Sequence, residues 1–137
     1  MTFSDIEDLV GFDLPDSYKT LIQNYPSHLR QLCEANGYKG ENMLLFDSVD
    51  EIYRTNEIFH APEYRYETLD GDGECKWPQL HLVIGASGCG DFYVLVPTSG
   101  IVKFWNHETG EFSQEWATLL NCLDGHYEYF HNEGKTK

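Results

Sequence analysis

Residues Leu80 to Trp105 read LHLVIGASGCGDFYVLVPTSGIVKFW, and this stretch decides the fold. Leu80 to Ala86, Phe92 to Val96 and Ile101 to Trp105 are rich in β-branched and aromatic residues, the composition of strands. Ser87-Gly-Cys-Gly-Asp91 and Pro97-Thr-Ser-Gly100 separate them and suit tight turns. Strands joined this closely predict an antiparallel meander.

Helical patterns lie upstream. Ser4-Asp-Ile-Glu7 has the spacing of a capping box and predicts a short helix through about Val10, stopped by Gly11. Leu14-Pro15-Asp16-Ser17 predicts a second helix start, with Tyr18, Leu21, Ile22 and Tyr25 spaced to share one face. Pro26 interrupts it, and Leu29, Leu32 and Cys33 continue an apolar stripe to the stop signal Asn36-Gly37. Met43 to Phe46 reads as a short strand. Ser48-Val-Asp-Glu51 reads as another capping box, opening a helix whose inward face is Val49, Ile52 and Tyr53. From His60 to Pro78 no period is sustained, and Asp70-Gly-Asp-Gly-Glu74 is turn chemistry, which predicts an exposed acidic loop. After the turn signal Asn106 to Gly110, Ser113 is placed as the cap of a C-terminal helix carrying Trp116, Leu119, Leu120 and Leu123 inward, broken at Gly125 before Tyr127 and Phe130. Helices first, a sheet in the middle and a helix last give the α+β class: a central, mostly antiparallel sheet flanked by N-terminal and C-terminal helices, with residues 1–137 read as one domain.

Charge narrows the function. The 137 residues carry 23 acidic and 9 basic side chains, a formal charge of −14, yet 41% of them are apolar and 15% aromatic. That apolar content is enough to offset the entropy of folding, so the charge does not signal disorder. Residues 1 to 16 hold five acids and no base, 41 to 74 hold ten acids against Arg54 and Arg65, and 107 to 133 hold six unopposed. Such a chain repels phosphate backbones and anionic headgroups, so neither nucleic acid nor a membrane surface is an expected partner. The acidic N-terminus lacks the pattern of a secretory signal, and Cys33, Cys75, Cys89 and Cys122 form no C-x-x-C pair, which together point to reduced thiols in the cytosol.

Bond-making chemistry finds little support. Gly85-Ala-Ser-Gly-Cys-Gly90 invites a phosphate loop or a nucleophile elbow around Ser87 or Cys89, but both need a following helix, and a strand beginning with Asp91 follows here. The glycines suit a tight connection between strands better. Cys75, His81, Cys89 and His107 have no zinc spacing, and Asp70, Asp72 and Glu74 fall short of a calcium loop, so no metal or other cofactor is expected.

The order of motifs resembles the SUKH superfamily of SMI/KNR-type proteins. Leu14-Pro-Asp-Ser-Tyr-Lys-Thr-Leu21, Asn36-Gly37, the block Ile84-Gly-Ala-Ser-Gly-Cys-Gly-Asp-Phe-Tyr93 and the expected terminal aromatic helix carry the resemblance, which spans nearly the whole chain. The segment from Pro26 to Asn36 is longer than the family pattern. The resemblance implies an α+β domain without enzymatic activity. It further implies either an immunity protein that binds and blocks a polymorphic or contact-dependent toxin, often a nuclease or deaminase, or a regulatory scaffold in signalling or cell-wall assembly. Gly85, Gly88, Gly90 and Asp91 match the family turn and are assigned a structural role. The expected partner is a basic toxin domain, met by a monomer through an acidic loop and an aromatic turn: Asp70, Asp72, Glu74, Trp105, His107 and Glu108.

Overall fold

The structure is a computed structural model and describes residues 1–69, 73–87 and 90–125. Four helices come first: α1 (Phe3–Val10), α2 (Asp16–Gln23), α3 (Ser27–Ala35) and α4 (Val49–Phe59), with a 3-10 turn at Gly40–Asn42 between the last two. A two-stranded ribbon follows, β1 (Tyr66–Glu67) against β2 (Glu74–Cys75), and then a four-stranded sheet of β3 (Leu82–Ala86), β4 (Phe92–Leu95), β5 (Val102–Asn106) and β6 (Glu111–Trp116). Strand order equals sequence order and every pair is antiparallel, so the meander is present and the class is α+β.

The helix starts follow local chemistry, with one shift. Thr2 caps α1: its hydroxyl accepts from the Asp5 amide while the Asp5 carboxylate accepts from the Thr2 amide at 2.8 Å. The box therefore sits two residues before the expected Ser4. Glu7 is released from capping, and its carboxylate accepts instead from the Leu14 amide at 2.7 Å and pairs with Lys19 at 3.2 Å, tying α1 to α2. These bonds, the Leu14 amide first, hold the Glu7 carboxyl below its ordinary pKa. Gly11 closes α1 in the left-handed region, and Pro15, Pro26 and Ser48 stand at the N-caps of α2, α3 and α4. The long Pro26 to Asn36 segment is α3, with Leu29 and Cys33 buried.

Three expectations change. Met43 to Phe46 is not a laddered strand, although all four residues are buried: it runs antiparallel beside β3, held by the Phe46 amide to Ile84 oxygen and the Ala86 amide to Met43 oxygen, both 2.8 Å. The 60–78 segment is no open loop, because Tyr66 pairs with Cys75 and Glu67 with Glu74. Ser113 lies within β6, not at a helix cap; Phe112 stands opposite Trp105 and Trp116 opposite Val102. The C-terminal helix runs over 119–125 of the described residues, with the Thr118 hydroxyl accepting from the Asn121 amide at 3.1 Å. Tyr127 and Phe130 lie outside the described residues.

One apolar core joins helices and sheet. Ile6, Tyr18, Leu29, Phe46 and Ile52 meet the wholly buried β3 and the inward residues Val94 and Val102 of β4 and β5. The outer margin of β3 is sealed by two devices. Asn56 of α4, fully buried, donates to the Val83 oxygen at 2.8 Å and accepts from the Val83 amide at 2.9 Å, standing in for a strand neighbour. Beyond it the Met43 to Phe46 segment presses so close that a Cβ on Gly85 would lie 1.9 Å from the Leu44 oxygen. At the start of β3 the His81 oxygen accepts from Trp77 Nε1 at 3.0 Å and from His60 Nε2 at 2.9 Å.

His60 and His81 both carry pKa values lowered from 6.5, chiefly by burial. The unfolded chain therefore binds more protons than the folded one just below that value. Stability is fully present above about pH 6.5 and falls as the pH drops toward the folded values. Urea unfolding at about pH 7.5 and about pH 5.5 should show the lower midpoint at the acid pH, and His60→Gln should reduce that difference. Equal midpoints at the two pH values would contradict the burial of these rings.

Candidate functional site

The family block builds one end of the sheet. The Ser87 amide donates to the Asp91 oxygen at 3.0 Å across the β3–β4 turn, and Gly90 sits there at φ +92°, against the His107 ring. Asp91 Oδ1 accepts from the His107 amide at 2.9 Å and meets His107 Nδ1 at 2.6 Å, fastening this turn to the one between β5 and β6. Asn106 shapes the second turn by accepting from the Glu108 amide at 2.9 Å. The ribbon then rests on it: the Leu69 amide donates to the Thr109 oxygen at 2.9 Å, and a Cβ on Gly110 would lie 2.1 Å from the Glu67 oxygen. Asp91, His107, Glu108 and the ribbon's Glu67 and Glu74 thus belong to three mutually braced segments.

Between this end and α4 opens a cleft of about 400 Å³. Phe59, Tyr64, Phe92 and Trp105 line it, with Ile58, Glu41 and His107 among its other walls. The rings pack on one another: Phe59 lies 5.0 Å from Tyr64, 5.0 Å from Phe92 and 5.7 Å from Trp105, centroid to centroid, in tilted and edge-on arrangements that suit aromatic quadrupoles. Ile58 is 61% exposed because α4 turns its neighbour Phe59 inward.

Trp105 corrects an expectation. It is only 4% exposed and packs against Phe59, Tyr66 and Trp77, so it is part of the cleft's inner wall and cannot anchor a partner as a surface side chain. It shares a face of β5 with Lys103, and the rings of Phe59, Tyr66 and Trp77 cover it there, where its area is worth more than at the rim. Its indole N–H has no acceptor among the described residues. His107, Glu108 and Glu74 are exposed, Glu74 on β2. Asp70, Asp72 and Gly88 lie outside the described residues.

Electrostatics around the cleft are one-sided. Lys19 pairs with Glu7, Arg30 with Asp47 and Arg54 with Glu51, and the Arg65 guanidinium donates to the Pro62 and Tyr64 oxygens. Glu41, Glu108, Glu111, Glu67 and Glu74 enter no ion pair among the described residues; Lys39 and Lys76, each two residues from one of them, enter none either, and five carboxylates against two ammonium groups keep the charge at this end negative. A wider groove of about 670 Å³ lies between the start of α2, the β4–β5 turn and residues 117–120, and no charged side chain among the described residues lines it. Among those residues no three His, Cys, Asp or Glu side chains form a metal-binding group, and no helix is long and apolar enough to cross a membrane. Burial raises the Cys33 thiol pKa and pushes that of Cys122 up to about 12, which leaves neither thiol reactive at neutral pH.

Reading the sequence alone misses Glu41, Ile58, Phe59 and Tyr64. The adjacent pair Ile58-Phe59 gave no local signal, since neighbouring apolar residues on a helix can share one face, and only packing turns Phe59 inward and leaves Ile58 exposed.

The fold and site together are an α+β scaffold with a braced turn cluster and an acid-rimmed aromatic cleft. The chain belongs to the SMI1 / KNR4 family (SUKH-1), whose pattern matches residues 2–125. No curated protein and no solved structure matched it.

Proposed function

We propose that this domain is an immunity protein, which binds a cognate toxin domain of nuclease or deaminase type in the cytosol and neutralises it by occupancy, with no bond-breaking step of its own. The observation that carries this reading is the negative, aromatic-lined cleft at the family's glycine turn. Toxins that act on nucleic acids present basic surfaces to phosphates, and an acidic surface opposite steers association and keeps the phosphates out. Family membership supports protein binding as the general task.

Co-expression with the toxin domain of the neighbouring gene tests it, scoring growth rescue and complex formation. The association rate should also fall at least tenfold between about 0.01 M and about 0.15 M salt, as the screening length shortens from about 30 Å to about 8 Å. An association rate indifferent to salt, or toxicity that persists in co-expressing cells, would overturn the reading. A stable complex with a non-toxic envelope or signalling protein would favour the regulatory scaffold instead.

A further inference from the structure

Resting on that reading of a basic partner, we infer that the cleft between α4 and the β3–β4 turn receives an arginine side chain of the partner. The half-buried rings of Tyr64 and Phe92 provide aromatic surface, backed by buried Phe59 and Trp105, and a guanidinium is drawn to it by the ring quadrupoles. Glu41 stands in the cleft wall and enters no ion pair among the described residues, so it is placed to take a cation. Arg54, beside the lining residue Thr55, is held by Glu51 at 2.6 Å, and Arg65, beside Tyr64, donates to the Pro62 and Tyr64 oxygens, which leaves Lys39 as the cation near Glu41 in sequence that enters no ion pair among the described residues.

Other occupants fit less well. An apolar side chain would strip water from Glu41 and return no partner for the charge. An acidic one would be repelled. Lysine supplies a charge and can sit over a ring, as Lys103 does 5.3 Å from the Phe112 centroid, but its compact and strongly hydrated ammonium has no flat face to stack and does not grip a carboxylate through two bonds. The exposed Ile58 lies where the aliphatic stem of a long side chain would run. The molecule already builds this combination once for itself: the Arg30 guanidinium lies 5.0 Å from the Tyr25 ring centroid and 3.5 Å from the Asp47 carboxylate.

The test uses the full chain labelled with nitrogen-15 and the peptides acetyl-Gly-X-Gly-amide, with X arginine, citrulline, lysine or leucine. The arginine peptide should shift the Ile58 amide and the Trp105 indole N–H. Citrulline, which keeps the shape and loses the charge, should bind at least tenfold more weakly, about 1.4 kcal/mol. Glu41→Gln should weaken the arginine peptide about fivefold or more, while Glu34→Gln, which removes the same charge from exposed α3, should leave it unchanged. The inference is overturned if the arginine peptide moves neither resonance, if citrulline or leucine binds as tightly, or if Glu34→Gln weakens binding as much as Glu41→Gln. Growth rescue by co-expression is scored separately, so a domain that still neutralises its toxin after such a result would lose this subsite and keep its function.

Discussion

Gly85→Ala should destabilise the fold by a large share of its total stability. The added Cβ would lie 1.9 Å from the Leu44 oxygen and 2.6 Å from the Leu44 carbonyl carbon, both backbone atoms that no rotamer change can clear. Relief requires moving the Met43 to Phe46 segment away from β3, which breaks the two 2.8 Å bonds at Ile84 and Ala86 and exposes four buried apolar side chains. Overpacking costs about 1–3 kcal/mol, and the two bonds add about 1 kcal/mol each, so the total reaches about 4 kcal/mol. Domains of this size have about 5–15 kcal/mol in all. Urea unfolding, with hydrogen exchange at the Phe46 and Ala86 amides, measures the loss. A variant within about 1 kcal/mol of the parent would mean that the segment can withdraw freely and that the family glycine serves something other than this close approach.

Asn56→Leu comes second. Its volume suits the site, but the Val83 amide and oxygen lose their partner in a place without water, at about 1–3 kcal/mol for each buried group left unpaired. A loss of about 3 kcal/mol is expected. Asn36→Ala serves as the comparison: it removes a 2.8 Å bond to the Leu32 oxygen at an exposed helix end, where water replaces the donor, and should cost less than about 1 kcal/mol. Equal midpoints for the two variants would contradict the sealing of β3 by α4. Because Thr55, Ile58 and Phe59 line the cleft from the same helix, Asn56→Leu should also loosen a bound partner.

The two variants mark where reading the chain succeeded and where it stopped. The meander was legible because β-branched and aromatic composition, turn glycines and prolines act within a few residues. So were Gly11, Pro15, Pro26 and Ser48 as helix boundaries. β6 was misread because Trp116, Leu119, Leu120 and Leu123 do lie at helical spacing. The pairing of Val102 with Trp116 and of Trp105 with Phe112 claims the first part of that stretch for the sheet. Hydrogen bonds to β5 outweigh a local preference there.

The candidate site was legible only in its parts. His107, Glu108 and the glycine turn stood out as turn chemistry, and the acidic segments as charge. Their union needs Asp91 to reach His107, the ribbon to settle on Gly110 and α4 to bring Phe59 against Trp105. Local order and net charge come from neighbours along the chain, and one-dimensional patterns carry them. The sealed margin of β3, the burial of Trp105 and the cleft come from residues far apart in sequence, such as Asn56 and Val83, and only packing in three dimensions brings those together.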